Sequence, residues 1–79
     1  MTPPTNAANI IHVLERISLT HMGPNVPTWW DIIMDMVPSE WQWWYCQQSQ
    51  PYLASPTANE EEHRQGLIQA MRREWNIPK

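Results

Sequence analysis

A chain of 79 residues holds one domain, and its 42% hydrophobic content, with six Trp, five Met and no Phe, concentrates the apolar area in a few large side chains. Five basic residues against eight acids, a formal net charge of -3, exclude the basic stripe that follows a nucleic-acid backbone. A single cysteine, Cys46, excludes an internal disulfide and a Cys-based zinc site.

The segment opening Met1-Thr2-Pro3-Pro4 lacks the basic-then-apolar order of a signal peptide. No run reaches the roughly 18 apolar residues that span a bilayer, so no membrane partner is expected and the cytoplasm is the expected location. Residues 1–5 read as an extended lead-in. Ile10, Val13, Leu14 and Ile17 then recur at the spacing of one helix face, with Thr5 or Asn6 as N-cap and Gly23-Pro24 as a stop. Ile11 and the β-branched content also fit a strand there.

A second helix is expected after Pro27, capped by Thr28, with Trp29, Ile32, Ile33 and Met36 as its inner stripe. Trp30 and Met34 fall on a flank, and Asp31 and Asp35 share the polar side. So much apolar coverage on a short helix points to burial on two sides. Pro38 ends this segment, and Ser39-Glu40-Trp41-Gln42 has the form of a capping box. Trp41, Trp44 and Tyr45 then share a face, whereas Trp43 points nearly opposite at 100° per residue. Pro51 is expected to close this helix, with residues 51–57 as a connector. Thr57-Ala58-Asn59-Glu60 opens the last helix as another capping box, and Asn76-Ile77-Pro78 ends it. Glu60, Glu61 and Glu62 lie at its positive end and Arg72 and Arg73 at its negative end. Leu67, Ile68, Met71 and Trp75 make its inner stripe, and Glu60 and Arg64 stand at ion-pair spacing. The expected fold class is all-α: a single small bundle of three to four short helices, with helix 39–48 packed on helix 58–75.

The polar inventory carries little chemistry. His12, His21 and His63 lie in separate segments, without the spacing that sets two metal ligands on one helix face, so no metal site is expected. Cys46 and His63 are the residue types of a thiolate nucleophile and its base, but no local motif supports that pairing. A lone Cys among aromatic residues is ordinarily a small core hydrophobe. No glycine-rich phosphate loop exists, and neither an enzyme nor a cofactor is expected.

The tryptophans carry the functional signal. Trp29, Trp41, Trp44 and Trp75 read as core. Trp43 and Trp30 leave the main stripes, and a Trp on a surface is the residue type favoured at binding hot spots. Met34 flanks Trp30. The run Glu60–Glu62 is either a solvated helix start or an acidic docking patch, with Glu61 and Glu62 as the candidates. Arg64 sits at the edge of an apolar stripe, where it lays its stem on the core, pairs with a carboxylate, or meets a partner. The candidate protein-binding residues are therefore Trp43, Trp30, Met34, Arg64, Glu61 and Glu62. Self-association into a homo-oligomer is left open.

The third and fourth helices add a resemblance. In sequence order, Ser39, Trp41, Trp44, Tyr45 and Pro51 are followed by Glu61, Glu62, Arg64, Leu67 and Ala70. Over about residues 37–75 this order resembles the tail assembly chaperones of long-tailed bacteriophages, in the short second part that is often made by frameshift fusion to an upstream partner. That family opens a helix with Ser-x-x-Glu/Gln, adds a Trp and an aromatic pair, and ends it near a Pro. A Glu-Glu-Arg-like cluster, here interrupted by His63, then starts an Ala/Leu-rich helix. The resemblance implies a protein of the host-cell cytoplasm, absent from the finished virion. It would help load tail tube subunits around the tape measure protein by transient coating, and be displaced as the tube polymerises. A small phage- or plasmid-encoded inhibitor that binds and blocks a host protein is the alternative, since it needs the same kind of aromatic patch.

Overall fold

The computed structural model describes residues 2–19, 28–54 and 60–78. They form four helices and, among the described residues, no strand: α1 (Ala7–Arg16), α2 (Thr28–Met36), α3 (Ser39–Ala54) and α4 (Glu60–Trp75). The expected all-α bundle is what forms, with α1 packed on α2 and α4, and α3 packed on α4. The radius of gyration, 11.8 Å, is close to the ~12 Å of a packed chain of this length. The Gly23-Pro24 stop, Pro27, His21 and the start of the Thr57 capping box lie outside the described residues.

The first helix buries Ala7, Ile10, Ile11 and Leu14, while Val13 and Ile17 are half-buried against the same core. Ile11, which also fitted a strand, is thus a core helix residue. Asn6 is the N-cap position, but its side chain makes no cap bond. Its amide Nδ2 instead donates to the carbonyl of Met36, the last residue of α2, at 2.8 Å. The lead-in runs alongside, and Thr2 offers its carbonyl to the indole N–H of Trp41 at 3.0 Å.

The expected inner stripe of α2 is rotated. Trp29, Ile33 and, just past the helix, Val37 are buried, whereas Ile32 is 44% exposed. The reason is tertiary. The ring of Trp30 lies stacked on Tyr45 of α3, with centroids 5.5 Å apart. That contact pulls the covered arc toward positions 30 and 34 and leaves position 32 outside. A helix apolar over so wide an arc carries little information about which part of it will be covered.

The third helix buries Trp41, Tyr45 and Ser49, an i, i+4, i+8 line. Ser49 satisfies its hydroxyl by donating to the Tyr45 carbonyl one turn back, at 2.9 Å. Trp44, expected in the core, is half-buried at its rim. Gln42 does not complete the capping box as expected: its Nε2 donates to the Val37 carbonyl at 3.3 Å. The helix also runs through Pro51 to Ala54 rather than ending there, so the connector does not start at 51. Proline removes one backbone donor but does not forbid the flanking turns.

The last helix buries Leu67, Ile68, Ala70, Met71 and Trp75, matching the expected stripe. It ends in a left-handed Asn76, φ 54°, with the Ile77 N–H returning to the Arg72 carbonyl at 2.9 Å. This six-to-one bond is the Schellman closure, and asparagine tolerates the left-handed position better than other non-glycine residues. At this end the Trp75 ring meets Trp41 nearly edge-on, with centroids 5.7 Å apart, and Trp44 at the same distance.

Two outcomes follow for stability. Trp41→Ala removes a fully covered ring and its bond to Thr2, and should cost about 3–5 kcal/mol. Trp44→Ala, at the rim, should cost about 1–2 kcal/mol. Urea denaturation of both variants checks the order, and equal losses would place Trp44 in the core after all. Pro51→Ala should stabilise, because a donor to the Gln47 carbonyl returns to α3. Allowing for the lost rigidity of the unfolded chain, the gain is about 1–2 kcal/mol, or on the order of 5–10 °C in melting temperature. A lower melting point would mean that the Pro51 ring supports the fold.

Candidate functional site

The outward arc of α3 follows from its covered one. With Trp41, Tyr45 and Ser49 turned inward, positions 40, 43, 47 and 50 are left facing solvent, at the spacing of one helix face. Trp43 is 72% exposed, the more open of the two large hydrophobic side chains exposed among the described residues. Glu40 stands three residues before it and Gln47 four residues after, so a carboxylate and an amide flank the indole on its own helix. Nothing in the fold requires a tryptophan at this position.

Of the other five candidate residues, Trp30, Met34 and Arg64 are half-buried, whereas Glu61 and Glu62 are exposed on α4. Trp30 is half-buried and stacked on Tyr45, with its indole nitrogen buried and without an acceptor. Met34 is half-buried against the core. Arg64 makes the pairing contact that its stripe-edge position allowed. Its side chain is only 14% exposed, and its guanidinium engages Glu61. It also donates to the carbonyl of Ile17, the C-cap of α1, at 2.7 Å. A cation on the open carbonyls of a helix C-terminus is favourable in both charge and hydrogen bonding. Glu61 additionally accepts from Gln65 at 3.0 Å. The bonds from Arg64 and Gln65 hold its carboxyl below the usual carboxylate range. Of the acidic pair, Glu62 is left as an exposed residue for which no such bond is seen.

Tyr45 links the two sides of this region. Its hydroxyl donates to the Trp30 carbonyl at 3.0 Å while its ring supports the Trp30 face. Burial pushes that hydroxyl far above the ordinary phenol range. Cys46, the next residue, is a half-buried free thiol. Among the described residues no cluster of His, Cys, Asp and Glu is arranged to hold a metal ion, and no described helix is long and apolar enough to cross a membrane.

Sequence reasoning missed Ile32, because its exposure depends on how α2 is turned by its neighbours. It also missed Glu40 as the acidic neighbour of Trp43. That signal was present, since residues three apart on any helix share a face. A shallow groove on α4, lined by Glu15, Gln65, Ile68, Gln69 and Arg72, was not readable either. It depends on how α1 crosses α4, where Arg72 pairs with Glu15 at 2.9 Å.

Comparison with known protein families, with curated proteins and with solved structures finds no match for the chain.

The Tyr45 environment sets an expected response to alkali. A phenol whose folded value is raised contributes stability that is fully present below its unfolded value, about pH 10, and is lost as pH rises above it. With Tyr52 replaced by Phe, the phenolate absorbance of the folded chain should stay flat through pH 10 and rise only on unfolding. Tyr45→Phe should flatten the alkaline decline in stability. A Tyr45 that titrates normally in the folded chain would show that its hydroxyl reaches water.

Proposed function

We propose that this chain is a non-enzymatic protein-binding domain that uses Trp43 as its anchor, and that it serves as a tail assembly chaperone of a long-tailed bacteriophage. The observation that carries the binding reading is the exposure of a tryptophan with no packing role. An exposed indole places a large apolar area in water, and its burial against a partner recovers about 2 kcal/mol or more. The resemblance of residues 37–75 to the chaperone family supports the finer reading. In it, the domain covers aggregation-prone tail proteins transiently and leaves as tube subunits polymerise around the tape measure protein. Arg64, Glu61, Trp30 and Met34 then act indirectly, by holding α1, α2 and α4 in the arrangement that presents α3.

The test separates stability from binding. Trp43→Ala should change folding stability by less than about 1 kcal/mol, since little is lost from the core. A photocrosslinking amino acid at position 43, in cells producing phage tails, should form adducts with the tail tube or tape measure protein. The same chain carrying Trp43→Ala and the crosslinker at position 47 should give at least about tenfold less adduct. Adducts with a host protein alone would replace the chaperone with an inhibitor of that protein. A Trp43→Ala chain that crosslinks undiminished would remove the anchor.

A further inference from the structure

The charge of this chain is divided unevenly between its helices. Residues 28–54 contain Asp31, Asp35 and Glu40 and no Lys, Arg or His. Outside this stretch five acids balance five basic residues, so the whole net charge of -3 sits on α2 and α3. Two of the cations are committed within the balanced part, Arg64 to Glu61 and Arg72 to Glu15. Asp31, Asp35 and Glu40 are exposed, and no ion pair engages them among the described residues.

The same two helices carry the two large apolar side chains exposed among the described residues, Ile32 and Trp43. Each has carboxylates beside it. Ile32 follows Asp31 and stands three residues before Asp35. Trp43 stands three residues after Glu40, on the same outward arc.

We propose that the exposed face of α3 around Glu40 and Trp43 docks a basic amphipathic segment of a partner protein. An apolar side chain of that segment would pack against Trp43, and a Lys or Arg would lie over the indole with its head paired to Glu40. This rests on Trp43 being the anchor. Three arguments favour a basic occupant. The face of an indole attracts cations, arginine above all because its plane also stacks. A neutral apolar segment would strip water from Glu40 and give it nothing in return. An acidic segment would meet the like charge of Glu40, which no cation on α3 offsets. Holding the net charge within residues 28–54 also gives these helices a field that attracts a cationic segment.

The experiment uses the full chain and labelled model helices of about 18 residues, five turns long. They share one leucine stripe and differ only on the opposite face, which carries Lys and Arg, Gln, or Glu. Fluorescence anisotropy should show the basic helix binding at least about tenfold more tightly than the Gln helix. The Glu helix should bind more weakly still. Affinity for the basic helix should fall several-fold as salt rises from about 50 to about 200 mM. Glu40→Gln should weaken the basic helix by about fivefold, a change near 1 kcal/mol, and leave the Gln helix unaffected. Glu74→Gln, an equal charge change at an exposed position of α4, should leave binding within about twofold. A normal helical spectrum for each variant accompanies the titrations.

Other outcomes overturn the proposal in distinguishable ways. If the Gln helix binds as tightly as the basic one and Trp43→Ala weakens both, the anchor stands and the basic occupant falls. If Glu40→Gln and Glu74→Gln weaken binding equally, the attraction is one of net charge and no docking site exists. If Trp43→Ala changes nothing, the anchor itself fails. If the free chain sediments as a dimer that Trp43→Ala dissolves, the occupant is a second copy of the chain.

Discussion

Among the described residues, four backbone carbonyls accept hydrogen bonds from side chains far away in sequence. Trp41 donates to Thr2, Asn6 to Met36, Tyr45 to Trp30, and Arg64 to Ile17. The arrangement answers a constraint set by helix length. An α-helix leaves about four carbonyls open at its C-terminal end, and α1 and α2 have only 10 and 9 residues. For elements so short, a large share of the backbone is end rather than middle, and isolated helices of this length are marginal in water. The bonds from Asn6 and Arg64 close the ends of α2 and α1 from neighbouring segments. The condition that completes one helix is therefore the presence of another.

The apolar core depends on the same economy of residues. Trp75 closes α4 against Trp41, near the start of α3, and against Trp44, so one ring cluster joins the two longest helices. Large rings cover much area with few residues, but they bring polar edges inside. The indole N–H groups of Trp29, Trp30 and Trp75 are buried without a protein acceptor. Such donors cost about 1–3 kcal/mol each when unpaired, which offsets part of what their rings contribute. Trp41 avoids that cost through Thr2, which gives the lead-in a structural role.

How much of this was legible depended on whether the deciding interaction was local. The stripe of α4 and its ending at Asn76 were readable, because both rest on helical period and on the tolerance of asparagine for a left-handed turn. The exposure of Trp43 was readable for the same reason, since its phase opposes that of Trp41 and Tyr45. The turn of α2 was not, because an apolar arc wider than the core can cover leaves the choice of covered part to Tyr45, fifteen residues on. Asn6 had the right type for a cap but was used by a different helix. Pro51 was misread as a stop, although a helix can absorb the loss of one donor near its end. For the candidate site, Arg64 was placed at the correct stripe edge, yet its bond to the Ile17 carbonyl depends on where α1 ends beside α4 and was not legible.

The unequal surroundings of the six tryptophans also make the molecule its own spectroscopic instrument. Trp29, Trp41 and Trp75 are buried, Trp30 and Trp44 half-buried, and Trp43 alone is open to water. The long-wavelength edge of the intrinsic emission therefore belongs mainly to one residue. A charged quencher in solution reaches that residue first, and anionic iodide approaches it less readily than cationic caesium because Glu40 lies alongside. The colour of the emission reports on the α3 surface, while the intensity from the other five indoles reports on the fold beneath it.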